Sequence, residues 1–413
     1  MESNESQIEV RINHQIEILN IVRKGRITIT ELALYLDLSF TATSKIVDEL
    51  VQEGFLVYSK KNKTGKRGRK PAFVEVNNNL GVFCVIDYAS RDVRVVLSTL
   101  DSQIIVEDFI PDFGVLTTSI LLQTEEIIKK LLERPEVNKR PLLSICIISP
   151  GIIRADDFSY VSSRILQKGD TNKLNPALFF SNAFNVKVEM HNDVRIGCYG
   201  EMKYGAFPKE RFNGMFIHLG SSAGLALVID GKIYSGSNNS SGEVAHFPDE
   251  TDDPILAGSY WNGKFFPLVE IFARICQLNN QSKSSVPFDV QKIVNDYQNN
   301  DPNTVLAVEE SAKRNAITID ALATILDVEY IIIEGQLLRL GNRYVDLLRK
   351  YISIYALNEI KSRILISTLK EDCEVLGACY KAVNIYLLDQ LEAVAKKRTK
   401  SLRFTLDKKY REL

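Results

Sequence analysis

The residues best equipped for chemistry near the N-terminus are basic. Lys60, Lys61, Lys63, Lys66, Arg67, Arg69 and Lys70 fall together with no acidic residue between them. Such cations bind the phosphates of a nucleic acid by charge. Thr64–Gly65 and Gly68 lie among them and let the backbone approach a duplex closely. An Arg67–Gly68–Arg69 tip suits a minor groove, where narrow A·T-rich tracts attract arginine. Alone, a charge run of this kind is usually a solvated loop. Just upstream, Thr41, Ser44 and Lys45 offer two hydroxyls and a cation at helical spacing. Those groups reach phosphates or base edges. Phe40 beside them can contact a thymine methyl or pack inward.

These groups need elements to hold them, and the pattern supplies a helix-turn-helix with a wing. Ile12, Ile16, Leu19, Ile21 and Val22 give one helical apolar face, which Gly25 ends. Ile29, Leu32, Ala33 and Leu36 give a second, shorter helix. Asp37–Leu38–Ser39 is a tight connection, with Ser39 placed to cap a third helix. That helix turns Thr43, Ile46, Val47, Leu50 and Val51 inward and stops at Gly54. Strands at 55–59 and 72–76 then flank the basic run as a wing. The third helix is expected in the major groove of double-stranded DNA, N-terminal turn first.

From Gly81 the texture becomes α/β. Three strand-like runs, an amphipathic helix over 117–132, a further strand and a helix are followed by a second copy of the theme from about Asn213. Repetition of this order implies two related lobes with mixed sheets. The expected boundaries are 1–79 for the winged helix-turn-helix, 80–205 for lobe 1 and 206–413 for lobe 2, the C-terminal helices being free to pack back on lobe 1.

Composition limits the partners. The chain has 413 residues, 45% hydrophobic and 25% charged, with a net charge of -1. It is long enough for two or three domains, and DNA affinity must come from a local patch instead of overall charge. The six cysteines show no CxxC pair, so no zinc ribbon is expected, and free buried thiols fit a cytoplasmic protein. No apolar run approaches the roughly 20 residues of a membrane helix, and the N-terminus lacks a signal-peptide pattern.

Residues 38–57 followed by 65–77 resemble the DNA-binding end of the ROK family (repressors, open reading frames and kinases), and the likeness runs along nearly the whole chain. It implies a two-lobed actin-like (ribonuclease H-like) ATPase/hexokinase-type domain with a sugar and ATP between the lobes. His191–Asn192–Asp193 resembles the family's Glu-Asn-Asp, in which the aspartate is the general base and the asparagine binds sugar hydroxyls. A polar turn capping the next helix accounts for the same residues. Ser241–Gly242–Glu243–Val244–Ala245–His246 looks like Ala-Gly-Glu-x-Gly-His, which implies sugar contact by Glu243 and a pocket role for His246. The family's zinc also needs three thiolates downstream, and 247–266 contains no cysteine. No metal and no cofactor are therefore expected.

The nucleotide side departs further. Asp87–Tyr88–Ala89–Ser90–Arg91 stands where family kinases carry Asp-x-Gly-Gly-Thr, so Asp87 is left to cap a turn. Gly220–Ser221–Ser222–Ala223–Gly224 lacks the middle glycine of the second phosphate loop, and a plain hairpin explains it equally. Glu334 replaces a glycine beside the adenosine site, a carboxylate unfavourable to phosphates. The leading expectation is a DNA-binding repressor of carbohydrate-metabolism genes, without kinase activity. It would bind a sugar or sugar-phosphate effector at Asn192, Asp193, Glu243 and His246. It would bind its operator through Thr41, Ser44, Lys45, Lys66, Arg67 and Arg69. A homodimer or dimer of dimers is implied, with 265–277 and 337–355 as candidate contributing helices whose apolar faces fit internal packing equally well. The alternatives are a regulator whose α/β domain is only a scaffold, and an ATP-dependent sugar kinase with a DNA-binding head.

Overall fold

A strand that is buried along its whole length must be covered on both faces, and one such strand stands at the centre of the first of two five-stranded sheets. The computed structural model describes residues 2–59, 73–167, 174–207, 211–244, 265–355 and 363–398. Contacts divide the chain into Met1–His191 with Ala378–Leu413, and Asn192–Gly377.

The first unit opens with α1 (Glu2–Val22), β1 (Ile27–Thr28), α2 (Ile29–Tyr35), α3 (Phe40–Gln52), β2 (Leu56–Tyr58) and β3 (Phe73–Val76). Ile12, Ile16, Leu19 and Val22 recur at helical spacing on α1 and are buried, as is Ile18. The three strands pair in the order β1-β3-β2. The short β1 was not expected from sequence. It joins the wing sheet through Ile27 opposite Val74 and Thr28 opposite Phe73.

The same unit continues with β4 (Val82–Asp87), β5 (Val93–Ser98), β6 (Ile104–Ile110), α4 (Thr118–Leu132), β7 (Leu142–Ser149), a small hairpin of β8 (Ile152–Ile153) and β9 (Tyr160–Ser162), α5 (Pro176–Phe184) and β10 (Lys187–Asn192). The sheet order is β10-β7-β4-β5-β6, with β4 antiparallel to β5 and parallel to β7. Every residue of β4 is buried. Cys84 and Ile86 face a core shared with Leu121, Ile128 and Leu131 of α4 and Phe180 of α5.

The second unit contains α6 (Asp193–Tyr204), β11 (Gly214–Leu219), β12 (Ala223–Ile229), β13 (Lys232–Tyr234), α7 (Leu268–Leu278), α8 (Val290–Gln298), α9 (Pro302–Leu326), β14 (Tyr330–Glu334), α10 (Asn342–Tyr355) and β15 (Arg363–Ile366). Its order, β13-β12-β11-β14-β15, repeats the first sheet's pattern of antiparallel neighbours on one side and a parallel neighbour on the other. Met215, Ile217 and Leu219 face α7, α9 and α10, while Phe216 between them faces Cys198 of α6. The apolar faces of α7 and α10, through Leu268, Ile271, Tyr344 and Leu348, are used in this core.

The last helix, α11 (Cys373–Arg398), runs through the division at Gly377. From Ala378 onward it covers the other face of the first sheet. Tyr386 meets Phe83 edge-on, and the Ser144 hydroxyl donates to the Ala382 carbonyl. The helix expected at the end of lobe 1, α6, packs instead on the second sheet beside the first turn of α11. The approach of those two helices is very close. A Cβ on Gly200 would strike the Cys373 carbonyl, and one on Gly377 would strike the Ile196 carbonyl. Gly377→Ala should therefore cost about 1–3 kcal/mol by forcing backbone against backbone. A urea midpoint equal to that of the unsubstituted chain would show that the helices separate freely.

Candidate functional site

The head is built by local hydrogen bonds. Thr28 caps α2 in a reciprocal box: its hydroxyl accepts from the Glu31 N–H at 3.2 Å, and Glu31 accepts from the Thr28 N–H at 2.9 Å. The hydroxyl of Thr28, then its N–H, hold the Glu31 carboxyl below its usual range. Asp37 takes a left-handed backbone at φ 52 in the turn. Ser39 then caps α3 by accepting from Ala42 N–H at 3.2 Å.

This cap sets the rotation of α3. Thr43, Ile46, Val47 and Leu50 are buried, and Val51 is only half-buried. Thr41 and Lys45 are exposed and Ser44 is half-buried, so the three expected reading residues share an outer face. Phe40 is exposed as well. Asp48 lies one turn further along this face and accepts from the Tyr58 hydroxyl. Burial, then Asp48, push that hydroxyl's pKa up to about 12. Neither Asp48 nor Tyr58 was singled out from sequence, because their pairing joins a helix to a strand. Lys66, Arg67 and Arg69 lie outside the described residues. The strands on either side, β2 and β3, pair antiparallel with Tyr58 opposite Val74.

On the α/β side, Asn192, Asp193 and Glu243 gather around a residue that the sequence reading passed over, Arg195. The Asn192 side chain accepts from Arg195 N–H at 3.1 Å, and Asp193 from Val194 N–H at 3.0 Å, so both cap α6. The Arg195 guanidinium is buried. It donates to the Asn239 side chain at 2.7 Å, the Asn239 carbonyl at 3.0 Å and the Ser241 carbonyl at 2.9 Å. Burial lowers its pKa, while the charges of Glu243 and Asp193 oppose that shift. An amide and two carboxylates thus lie about one buried cation. His246 lies outside the described residues, as does most of the segment on which a zinc site would depend.

His191 belongs to the first unit. Its Nε2 lies 3.0 Å from Glu189. Burial raises the Glu189 pKa, but hydrogen bonding to His191 and the charges of Lys381, His191 and Lys187 outweigh it and hold the group at about 2.

The residues corresponding to phosphate loops are occupied with one another. Asp87 is buried and accepts from Ala89 N–H at 2.7 Å and Ser90 hydroxyl at 3.3 Å. Arg91 is engaged by Asp112 through two bonds of 3.0 and 2.8 Å. In the second unit the Gly220 N–H donates to Ser222 carbonyl at 3.0 Å. Glu334 is buried, with its carboxylate 2.6 Å from Nδ1 of His218. A Cβ on Gly220 would collide with that imidazole. Sequence placed Glu334 only as a carboxylate unfavourable to phosphates; strand pairing puts it opposite His218.

A model of the ROK family matches residues 85–384, and the chain belongs to that family. It is similar over 387 residues to a xylose repressor of Caldicellulosiruptor bescii, at 24% identity over 89% of this chain and 94% of that one. A glucokinase of Halalkalibacterium halodurans is 24% identical over 311 residues, covering 71% of this chain and 92% of the enzyme. Among solved structures, a ROK family transcriptional regulator, a homolog of the E. coli MLC protein, superposes with a TM-score of 0.74 at 17% identity. It covers 92% of this chain and 99% of its own.

The Glu189 pairing has a pH signature. Its folded pKa of about 2 lies below the ordinary 4.5, so the stability it contributes is present above pH 4.5 and is lost as pH falls toward 2. Chemical-denaturation midpoints of the parent chain should fall more steeply over that range than those of Glu189→Gln. Parallel curves would mean that the pairing contributes nothing.

Proposed function

We propose that this protein is a DNA-binding repressor of carbohydrate-utilisation genes whose α/β domain senses a sugar and does not phosphorylate it. The observation that carries the reading is the helix-turn-helix head, its capped α3 presenting Thr41, Ser44 and Lys45 outward, on a chain of the ROK family. Lys66, Arg67 and Arg69 supply phosphate contacts from the wing, and a homodimer, or a dimer of dimers, presents paired heads to paired half-sites. Asn192, Asp193, Glu243 and His246 form the effector pocket, with Arg195 as the cation around which the carboxylates are arranged.

D-Xylose is the first effector to test, because relatives spanning most of this chain's length carry the name xylose repressor. Loops whose N–H groups already have partners oppose ATP binding, since phosphate must find such groups free. Kinase relatives make phosphotransfer the second reading. No helix among the described residues is long and apolar enough to cross a membrane.

The decisive experiment selects duplexes from a randomised pool with the full chain, then titrates the selected DNA with and without D-xylose. Binding that weakens with D-xylose is the expected result. Failure to select any duplex would sink the repressor reading. Incubation with ATP and D-xylose should give no sugar phosphate; turnover abolished by Asp193→Asn would establish a kinase instead. The wing has its own readout. Replacing Arg67 and Arg69 by alanine should lower the slope of log affinity against log salt by about 0.9 per lost phosphate contact. An unchanged slope would remove the wing from the interface.

A further inference from the structure

Arg23, at the end of α1, is a buried cation that neither the DNA face nor the sugar site uses. It is 4% exposed. Its Nε donates to the Leu100 carbonyl at 3.0 Å, one terminal nitrogen to Asn384 at 2.7 Å, and the other to the Ser102 hydroxyl at 3.0 Å and the Tyr380 carbonyl at 3.3 Å. The guanidinium carbon sits 3.8 Å from the centre of the Tyr380 ring. The Tyr380 hydroxyl in turn donates to Asn20 of α1 at 2.6 Å, and Tyr386 meets Phe55, just beyond α3, edge-on. A buried charge is tolerated only when its hydrogen bonds are made, and a planar fork makes them in one orientation. The end of α1 is therefore fixed in direction by α11 and by the turn between β5 and β6.

α1 carries that direction to the reading helix. Arg11 binds Glu49 of α3 through Nε at 2.8 Å and a terminal nitrogen at 2.6 Å, and Gln15 reaches the same carboxylate at 3.4 Å. At its other end α11 packs its first turn on α6, backbone against backbone at Gly200 and Gly377. The first turn of α6 holds Asn192, Asp193 and Arg195. Gly377 and Asn384 lie seven positions apart on one continuous helix, about 10 Å of rise. Beside the clamp, a cleft of about 430 Å³ separates Arg26, Val57 and Glu75 of the head from Asn78, Asn79 and Asp101. The head is thus held at Arg23 next to open space.

We propose that Arg23, Tyr380 and Asn384 are positioning residues that make α11 the link between the sugar site and the DNA-binding head. The clamp sets the direction of α1, and with it α3. Displacement of α6 on ligand binding is passed to the clamp along α11. This inference rests on the sugar-responsive reading above. Coupling is reciprocal, so DNA binding must be felt at α6 as much as sugar is felt at the head.

The test uses the full chain, the selected duplex and D-xylose, with hydrogen exchange read at amides 193–200. In the parent protein the duplex should change exchange at these amides at least about threefold, and D-xylose should change DNA affinity about tenfold. In Arg23→Lys and Asn384→Ala both responses should fall below about twofold, with the sugar's thermal shift retained. Loss of packing alone would lower the melting temperature and leave the responses in place. Tyr380→Phe, which removes the hydroxyl that bonds Asn20 and keeps the ring, serves if the other variants do not fold. Variants that keep the parent responses overturn the proposal. So does a parent protein that binds the duplex with no change at α6. A parent that binds no duplex at all defeats the repressor reading instead, and a different result is then in hand.

Discussion

The close approach of α6 and α11 is the constraint on which the rest of the structure depends. The chain passes from the first unit to the second between His191 and Asn192, at the start of α6, and returns between Gly377 and Ala378, inside α11. The first passage is the junction of β10 with α6 and the second lies within α11, and these two helices meet where side chains have been reduced to hydrogen. Glycine in a helix interior costs roughly 0.5–1 kcal/mol relative to alanine. That cost is offset only if the approach itself is needed. Here it places the residues that cap α6 and the residues that hold the head on two helices in backbone contact.

A kinase of this fold must leave backbone N–H groups free for phosphate. In this chain the corresponding groups have partners: Ala89 N–H has Asp87, and Gly220 N–H has Ser222. The Glu334 carboxylate is buried and already engaged with Nδ1 of His218. Loop N–H groups that already have internal partners are not free to receive a phosphate. The sugar side is treated differently. Asp193 and Glu243 lie near one buried guanidinium, and their charges oppose the fall that burial causes in its pKa.

Much of this was legible in the sequence. Period-3.6 apolar spacing marked α1 and α3, Ser39 marked a cap, and the repeated strand order marked two related sheets. What could not be read was every contact made across large separations. Arg23 is an ordinary basic residue at a helix end until Leu100 and Asn384 are brought to it. Arg195 follows a capping pair and gives no local hint that Asn239 and Ser241 will bury it. The boundary drawn at 205 followed the texture of the chain, but Cys198 of α6 packs on Phe216, so the helix goes with the second sheet. β1 is two residues long and exists only because β3 pairs with it.

These misses share a physical cause that bears on function. Local patterns report the free energy of helices, turns and strands, which is available to short segments. A buried cation satisfied by neutral acceptors from two distant segments stabilises nothing until those segments have met, because its desolvation cost is recovered only by the full set of bonds. Such a group contributes little to choosing the fold and much to choosing between close arrangements of it. Removing a single acceptor leaves a charge partly unsatisfied, so small displacements of α11 are expensive at Arg23 and nearly free at the exposed face of α3. That asymmetry is what lets one helix hold a DNA-binding head in one direction while leaving the reading surface free to meet its target.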